Sequence, residues 1–597
     1  MKRTEIDNKY KWDLTTIYKT EEDFLVELNN IKIKISNISK YEELIKKDLS
    51  CLFDMIYTYY DIVYFINKLF LYAHLLFDTD TKNEKYQEYV GKVSNLDEDF
   101  SKLSSYMIPA LLKYDYSDIL NQINNDNRLK EYAFTLEKIF REKEHVLSEK
   151  EEKLISNLGK AFDSSSDLFE IITDSDLKYG TIKDENGNDI ELNDSNYNLY
   201  MTSSDRRVRK DAYNCLYSMY KQFKNTLSKT LSNHIEAYNT ISKVRNYNSA
   251  LEASLFEDNI SKDVFDTLID TVSNNLEPLY KYYRLRKKVL NVDTLEFYDL
   301  HAPIVKEFNK EYTFEEAKEI VLNALSPLGE EYISIAKDGF NNRWFDVYYT
   351  EGKRSGGYST GIKGTLPFIL INYEGKLNDV STVAHELGHS MHSYYSNKNC
   401  TFQDSFYTIY CGEVTSTVNE LLLANYIINN SNDDNEKLYV LNHLLDVYKS
   451  TLFRQTMFQE FEKNIYELSS KGEILNSDLL SNEYSKVCKK YFGDTINYND
   501  NYSYEYARVP HFYCNFYVFT YATGIIYATK IVNDILNNKE ESKEKYIEFL
   551  KTGGSMYPED ELKVAGIDVH DKDVYLSAIN YYSKLVDEFE KLIEKVK

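Results

Sequence analysis

Cysteine is scarce in this sequence: there are 6 among 597 residues, and no two form a C-x-x-C pair. That pattern leaves no thiolate zinc site, and so few cysteines in so long a chain suit a reducing compartment. Positive charge is also short. Lys and Arg number 71 against 96 Asp and Glu, a formal net charge of −25, which argues against the basic face that a nucleic-acid partner needs. The acidic excess reads as a solvated surface and does not identify a substrate. No apolar run is long and clean enough for a membrane span. The most apolar stretch, Cys51 to Phe77, is broken by Asp54, Asp61, Asn67, Lys68 and His74, and predicts a buried helix. The N-terminus, MKRTEIDNKYKWDLTTIY, lacks the apolar core of a signal peptide. A soluble cytoplasmic protein without membrane or nucleic-acid partners is expected. Proline is rare, at 7 residues beside 55 Tyr, which reads as compositional bias as much as function.

What is present is mostly helix. Apolar residues recur at three- and four-residue spacing with charges between them, and 597 residues are too many for one compact core. The segment KYGTIKDENGNDIELN (178–193) breaks the pattern with two short β-rich runs around a DENGN turn, which predicts a hairpin. It marks a boundary between an N-terminal helical lobe, 1–195, and a catalytic portion, 196–597. A second mixed region contains YDLHAPIV (298–305), RWFDVYYTEGKRSGGYSTG (343–361) and LPFILINYEG (366–375). Aromatic and β-branched runs separated by glycines predict a small sheet there.

The segment DVSTVAHELGHSMHSYYS (379–396) carries the chemistry. His385 and His389 are four apart, so on a helix both imidazoles face one way and can reach one ion. Glu386 sits at the edge of that face, where a general base can reach water at the metal. Asn378 or Asp379 is a candidate N-cap, and Val380, Val383, Ala384 and Leu387 form an apolar stripe. His392 is not a third ligand. Seven residues along the axis separate it from His385 by about 10 Å, too far to converge on one ion. The third ligand must come from another helix. CGEVTSTVNELLLANY (411–426) reads as amphipathic and places Glu413 and Glu420 on one face. Glu413 is the candidate ligand, and Glu420 a candidate acceptor that orients a ligand imidazole.

A second constellation lies in ARVPHFYCNFYVFTYATG (507–524). His511, Tyr513, Tyr517 and Tyr521 offer donors for the oxyanion of a tetrahedral intermediate. Spacing leaves the choice among the three tyrosines open.

HELGHSMH followed by GEVTSTVNE resembles the thimet oligopeptidase-like zinc peptidases, in particular their bacterial oligoendopeptidase F branch. KWDLTTIY, SSDRRVRKDAY, RSGGYSTG, RVPHFYCNFYVFTYATG and GGSMYPEDELKVAG carry the likeness along nearly the whole chain. The resemblance implies a mainly α fold, with two helical lobes around a deep substrate channel and a small sheet beside the HExxH helix. It implies one zinc ion per chain held by His385, His389 and Glu413, with Glu386 as the base. It assigns His511 and Tyr517 to substrate contact and transition-state stabilisation.

The expected function is therefore zinc-dependent hydrolysis of internal bonds in short, unstructured oligopeptides. The strand from Phe368 to Tyr373 is a candidate for pairing with extended substrate backbone. Two rivals remain. An exopeptidase on the same scaffold needs a cation for the terminal carboxylate, for which Lys353 and Arg354 are candidates. A non-catalytic helical binding protein would have no use for Glu386.

Overall fold

The computed structural model describes residues 2–537 and 540–596. It is mainly helical. The helices used below are α1 (Leu52–Thr79), α2 (Glu84–Ser104), α3 (Lys224–Val244), α4 (Leu377–Asn399), α5 (Ile409–Asn430), α6 (Arg454–Ser470), α7 (Phe519–Leu536) and α8 (Glu540–Thr552). The strands are β1 (Thr181–Lys183), β2 (Asp189–Glu191), β3 (Phe345–Asp346), β4 (Tyr358–Thr360) and β5 (Phe368–Leu370). The chain divides into two compact units that interleave in sequence. The first comprises 1–144, 309–426 and 531–567; the second comprises 145–308, 427–530 and 568–597.

In the first unit, α1 packs along α2, and α4 packs against α8. Helix α1 turns Leu52, Met55, Ile62, Ile66 and Leu69 into the core but leaves Tyr57 and Phe70 exposed. The expectation of a buried helix thus holds for one face only. By length and composition, Leu49–Thr79 is apolar enough to cross a membrane. The same hydrophobic core takes in Trp12, Ile17 and Tyr18 from the N-terminus together with Ile362, Phe368 and Leu370. The sheet has the order β3-β5-β4, with β3 parallel and β4 antiparallel to β5. Strand β5 is therefore central, hydrogen-bonded on both sides. That corrects the expectation that it pairs with substrate: the edge strands are β3 and β4.

In the second unit, β1 and β2 form the expected antiparallel hairpin, pairing Thr181 with Glu191. YDLHAPIV is not a strand. Phe297–Asp299 is a 3-10 turn, and its polar groups are taken by arginines. The buried Asp299 carboxylate accepts from Arg206 and Arg209, and Arg209 Nε donates to the Tyr298 carbonyl. Arg286 donates to the carbonyls of Asp299 and Ala302. With its backbone acceptors already satisfied by side chains, the segment has no need of a neighbouring strand.

Candidate metal centre

Helix α4 starts at an N-cap on Lys376, and Asp379 is the third residue in, which corrects the capping expectation. The Asp379 carboxylate accepts from the backbone N–H groups of Lys376 and Glu374, at 2.9 and 3.0 Å, so it still satisfies the helix start. The stripe of Val380, Val383, Ala384 and Leu387 is fully buried. Helix α5 is buried on more faces than an amphipathic reading allows: Val414, Thr415, Ser416, Val418, Asn419 and Leu422 are all interior.

The two helices touch through Gly388. A Cβ at that position would lie 2.7 Å from both the Ser416 Cα and the Thr415 carbonyl oxygen, so only glycine allows this approach. Buried Asn419 locks the crossing. Its Nδ2 donates to the Ala384 carbonyl at 3.0 Å, and its Oδ1 accepts from Tyr332 Oη at 3.1 Å.

The close crossing brings His385, His389 and Glu413 together, with their candidate ligand atoms all within 4.8 Å of one another. The two Nε2 atoms are 3.2 Å apart, and Glu413 Oε2 lies 4.0 Å from each. A tetrahedral zinc with bonds near 2.0–2.1 Å needs ligand separations of about 3.3 Å. The histidine pair already has about that spacing, and Glu413 stands somewhat farther out, at 4.0 Å. The donor set, two imidazoles and one carboxylate, is that of a zinc site with a position left for water. Glu420 Oε1 stands 3.5 Å from His385 Nδ1, on the side away from the cluster, and accepts from Ser381 Oγ at 3.4 Å.

Glu386 is buried, and its Oε2 has no protein hydrogen-bond partner. Burial pushes its carboxyl up to about 7. His385 opposes that rise, and the carboxylates of Glu413 and Glu420 add to it. At His385, burial disfavours the charge but is outweighed by Glu420, Glu386 and Glu413, which carry the imidazole up to about 9. Burial and the neighbouring His385 hold His389 down at about 3. Without metal, the neighbouring carboxylates favour a positive charge on His385 over His389. The cluster opens into a cavity of about 380 Å³ whose walls include Gly357 and Ser359 of the β4 segment and Tyr407.

Tyr407 was not singled out by the sequence. Its hydroxyl donates to the His389 carbonyl at 3.2 Å and lies 2.9 Å from Ser393 Oγ. Its ring stacks on His392 at 3.7 Å. With 55 tyrosines present, nothing in the local pattern separates this one from core residues. His392 is fully buried and packs in the interior. Lys353 is also committed. It pairs with Asp346 at 2.9 Å and donates to the carbonyls of Asp346, Tyr348 and Ile371, all in the interior. It cannot receive a peptide carboxylate. Arg354 rests on Asp78 at 3.2 Å.

His511, Tyr517 and Tyr521 belong to the second unit. Their rings cluster: His511 lies 6.5 Å from Tyr517 and 6.1 Å from Tyr521, and the two tyrosines are 5.3 Å apart. Tyr513 points elsewhere, with its hydroxyl 2.8 Å from Thr230 Oγ1 and its ring stacked on Phe169.

Comparison with known proteins places the chain in a family. Residues 199–581 match the family described as Peptidase family M3, and residues 111–179 match Oligopeptidase F. The chain is 40% identical over 596 residues to oligopeptidase PepF of Bacillus subtilis, covering all of this chain and 89% of that protein. Among solved structures, a peptidase from Chlamydophila abortus superimposes with a TM-score of 0.94 at 35% identity, covering 99% of each chain. Oligoendopeptidase-F from Enterococcus faecium gives 0.74 at 34% identity, covering 96% of this chain and 100% of that one.

Proposed function

The chain belongs to peptidase family M3, as a metalloendopeptidase of the oligoendopeptidase F type, and from that premise we propose that it is a cytoplasmic zinc enzyme that cuts internal bonds of short, unstructured peptides. The observation that carries the reading is the convergence of His385, His389 and Glu413 beside a buried Glu386 oxygen with no partner. All the residues assigned below lie in 196–597, the portion proposed as catalytic, behind an N-terminal portion of 1–195.

His385, His389 and Glu413 would hold one zinc ion, whose charge acidifies a water and polarises the scissile carbonyl. Glu386 Oε2 is the group that would accept the proton of the attacking water and pass it to the leaving amine nitrogen. Glu420 accepts from His385 Nδ1, which turns Nε2 toward the metal position. His511 and Tyr517 donate to the oxyanion as the carbonyl becomes tetrahedral. The free side of β4 offers backbone groups to an extended peptide, which makes binding tolerant of sequence. The free cysteines, including exposed Cys514, suit a reducing cytoplasm.

The test uses one cleavable sequence in two contexts: an end-blocked free peptide, and the same residues in a loop of a stable domain. Opening a folded domain costs about 5–15 kcal/mol. Rapid internal cleavage of the peptide and slow cleavage of the loop are expected. Equal rates would indicate a general protease. Cleavage only of the unblocked peptide would indicate an exopeptidase.

A further inference from the structure

His511 and Tyr517 are six residues apart, yet their rings face each other at an interplanar angle of 12°. The chain turns back between them through two consecutive non-glycine residues in the left-handed region, Asn515 at φ 47° and Phe516 at φ 65°. Asparagine tolerates that region, but a phenylalanine there is a true outlier, and such conformations persist only where the surroundings over-determine them.

The surroundings here are specific. Glu462 on α6 is fully buried, and its Oε1 accepts the Phe516 backbone N–H at 2.7 Å. Its Oε2 has no partner. Asn515 Oδ1 accepts from Tyr466 Oη at 2.7 Å and from His234 Nε2 at 2.8 Å. The Asn515 carbonyl accepts from Ser254 Oγ at 2.6 Å. The Phe516 ring is buried against Tyr466 and Phe265. A buried carboxyl with half its capacity unused is a costly way to hold one N–H.

We propose that Glu462 and Asn515 are positioning residues, which hold the left-handed turn that sets His511 beside Tyr517. The inference rests on the reading of His511 and Tyr517 as substrate-contacting groups. Glu462 and Asn515 touch neither substrate nor metal. They act by fixing where two donors stand, and a misplacement near 1 Å costs up to about a hundredfold in rate.

The test compares Glu462→Leu, Glu462→Gln and Asn515→Ala with His511→Ala and Tyr517→Phe, reading kcat, KM, bound zinc and melting temperature. Glu462→Leu removes the acceptor and the unsatisfied oxygen together. It should lower kcat by up to about a hundredfold and leave zinc content unchanged, and because it orphans the buried Phe516 N–H it should also lower the melting temperature. A merely structural residue would lower activity only where the fold is lost, so kcat is read well below each variant's melting temperature, where a positioning residue still shows the loss. Glu462→Gln keeps an oxygen for the Phe516 N–H and should restore kcat. Asn515→Ala should lower kcat as Glu462→Leu does. Wild-type kcat in Glu462→Leu and Asn515→Ala, with loss in His511→Ala and Tyr517→Phe, would overturn the positioning role alone. Wild-type kcat in both His511→Ala and Tyr517→Phe would overturn the catalytic reading, and the inference with it.

Discussion

Three carboxylates near the histidine pair have different surroundings, and each should fail in its own way when replaced. Glu386→Gln keeps the shape but cannot take a proton. Its rate should fall by about two to four orders of magnitude with zinc retained, and wild-type turnover at matched zinc would remove it as the base. Glu413→Ala removes a candidate ligand 4.0 Å from both Nε2 atoms, so zinc and activity should be lost together. Glu420→Ala leaves the ligands in place and should weaken zinc binding by only about ten- to a hundredfold. Titration against a competing chelator ranks the three. A fourth carboxyl, Glu462, should show itself in stability. Burial pushes it up to about 8 against the donated Phe516 N–H, which pulls it down. Its ordinary value is 4.5, so between about 4.5 and 8 the folded chain holds a proton that the unfolded chain has released. Stability therefore falls as pH rises through that window and is level on either side of it. Melting temperatures of Glu462→Gln should lack this decline, and an unchanged profile would show that the carboxyl titrates normally.

At the scale of elements, the site depends on how closely α4 and α5 approach. The glycine in HELGH is where they meet. Gly388→Ala puts a methyl 2.7 Å from the α5 backbone, and backbone cannot move aside as a flexible side chain can. Overpacking of this kind costs about 1–3 kcal/mol. The same displacement separates His389 from Glu413, so zinc affinity should fall more than the melting temperature does. Zinc titration of a still-folded Gly388→Ala protein is the check, and wild-type affinity would show that the crossing can widen without harm. The sequence makes half of this arrangement legible. Four-residue spacing puts His385 and His389 on one face of a helix whatever surrounds it, because helical geometry is local. Placing Glu413 opposite them required a second helix, whose position depends on a close contact that no local pattern records. The same limit explains the strands. The DENGN turn fixes its own hairpin, whereas YDLHAPIV looked extended because its partners, Arg206, Arg209 and Arg286, lie up to 93 residues away in sequence. Strand β5 could be recognised as a strand, but its central place follows from pairing with β3 and β4. Tyr407 and the Asn515–Phe516 turn left no sequence signal at all, since each depends on contacts made only in the folded chain.

At the scale of the whole molecule, the N-terminal residues are part of the sheet beside the metal helix. The Trp12 indole Nε1 donates to the carbonyls of Trp344 and Ile369, at 2.9 and 3.0 Å, from a buried position. Arg343 returns the contact, donating to the carbonyls of Lys11 and Trp12 and to the Asp13 carboxylate. Val347 N–H donates to the Tyr10 carbonyl, and Arg3 pairs with buried Asp346. The segment KWDL thus adds hydrogen bonds to backbone carbonyls just before β3 and in β5. Phe368 and Leu370 share their core with the N-terminal residues. A fragment of 196–597 keeps every residue assigned to catalysis and loses this whole side of the sheet. It should fail to fold into a zinc-binding form, although residues 199–581 carry the Peptidase family M3 match. Trp12→Ala tests the same dependence within the full chain. Removing a buried tryptophan costs about 3–5 kcal/mol, and the loss of its two hydrogen bonds adds to that cost. Equilibrium denaturation should show the loss, while kcat at low temperature, where the variant remains folded, should stay close to wild type because Trp12 touches none of the proposed ligands. Adding back a peptide of residues 1–195 to the fragment separates the two ways it can fail. Recovery of zinc binding on mixing would show that the N-terminal portion is needed as a folding partner. A fragment that binds zinc and cleaves peptide unaided would show that the sheet stands without Trp12, and that the catalytic portion folds on its own.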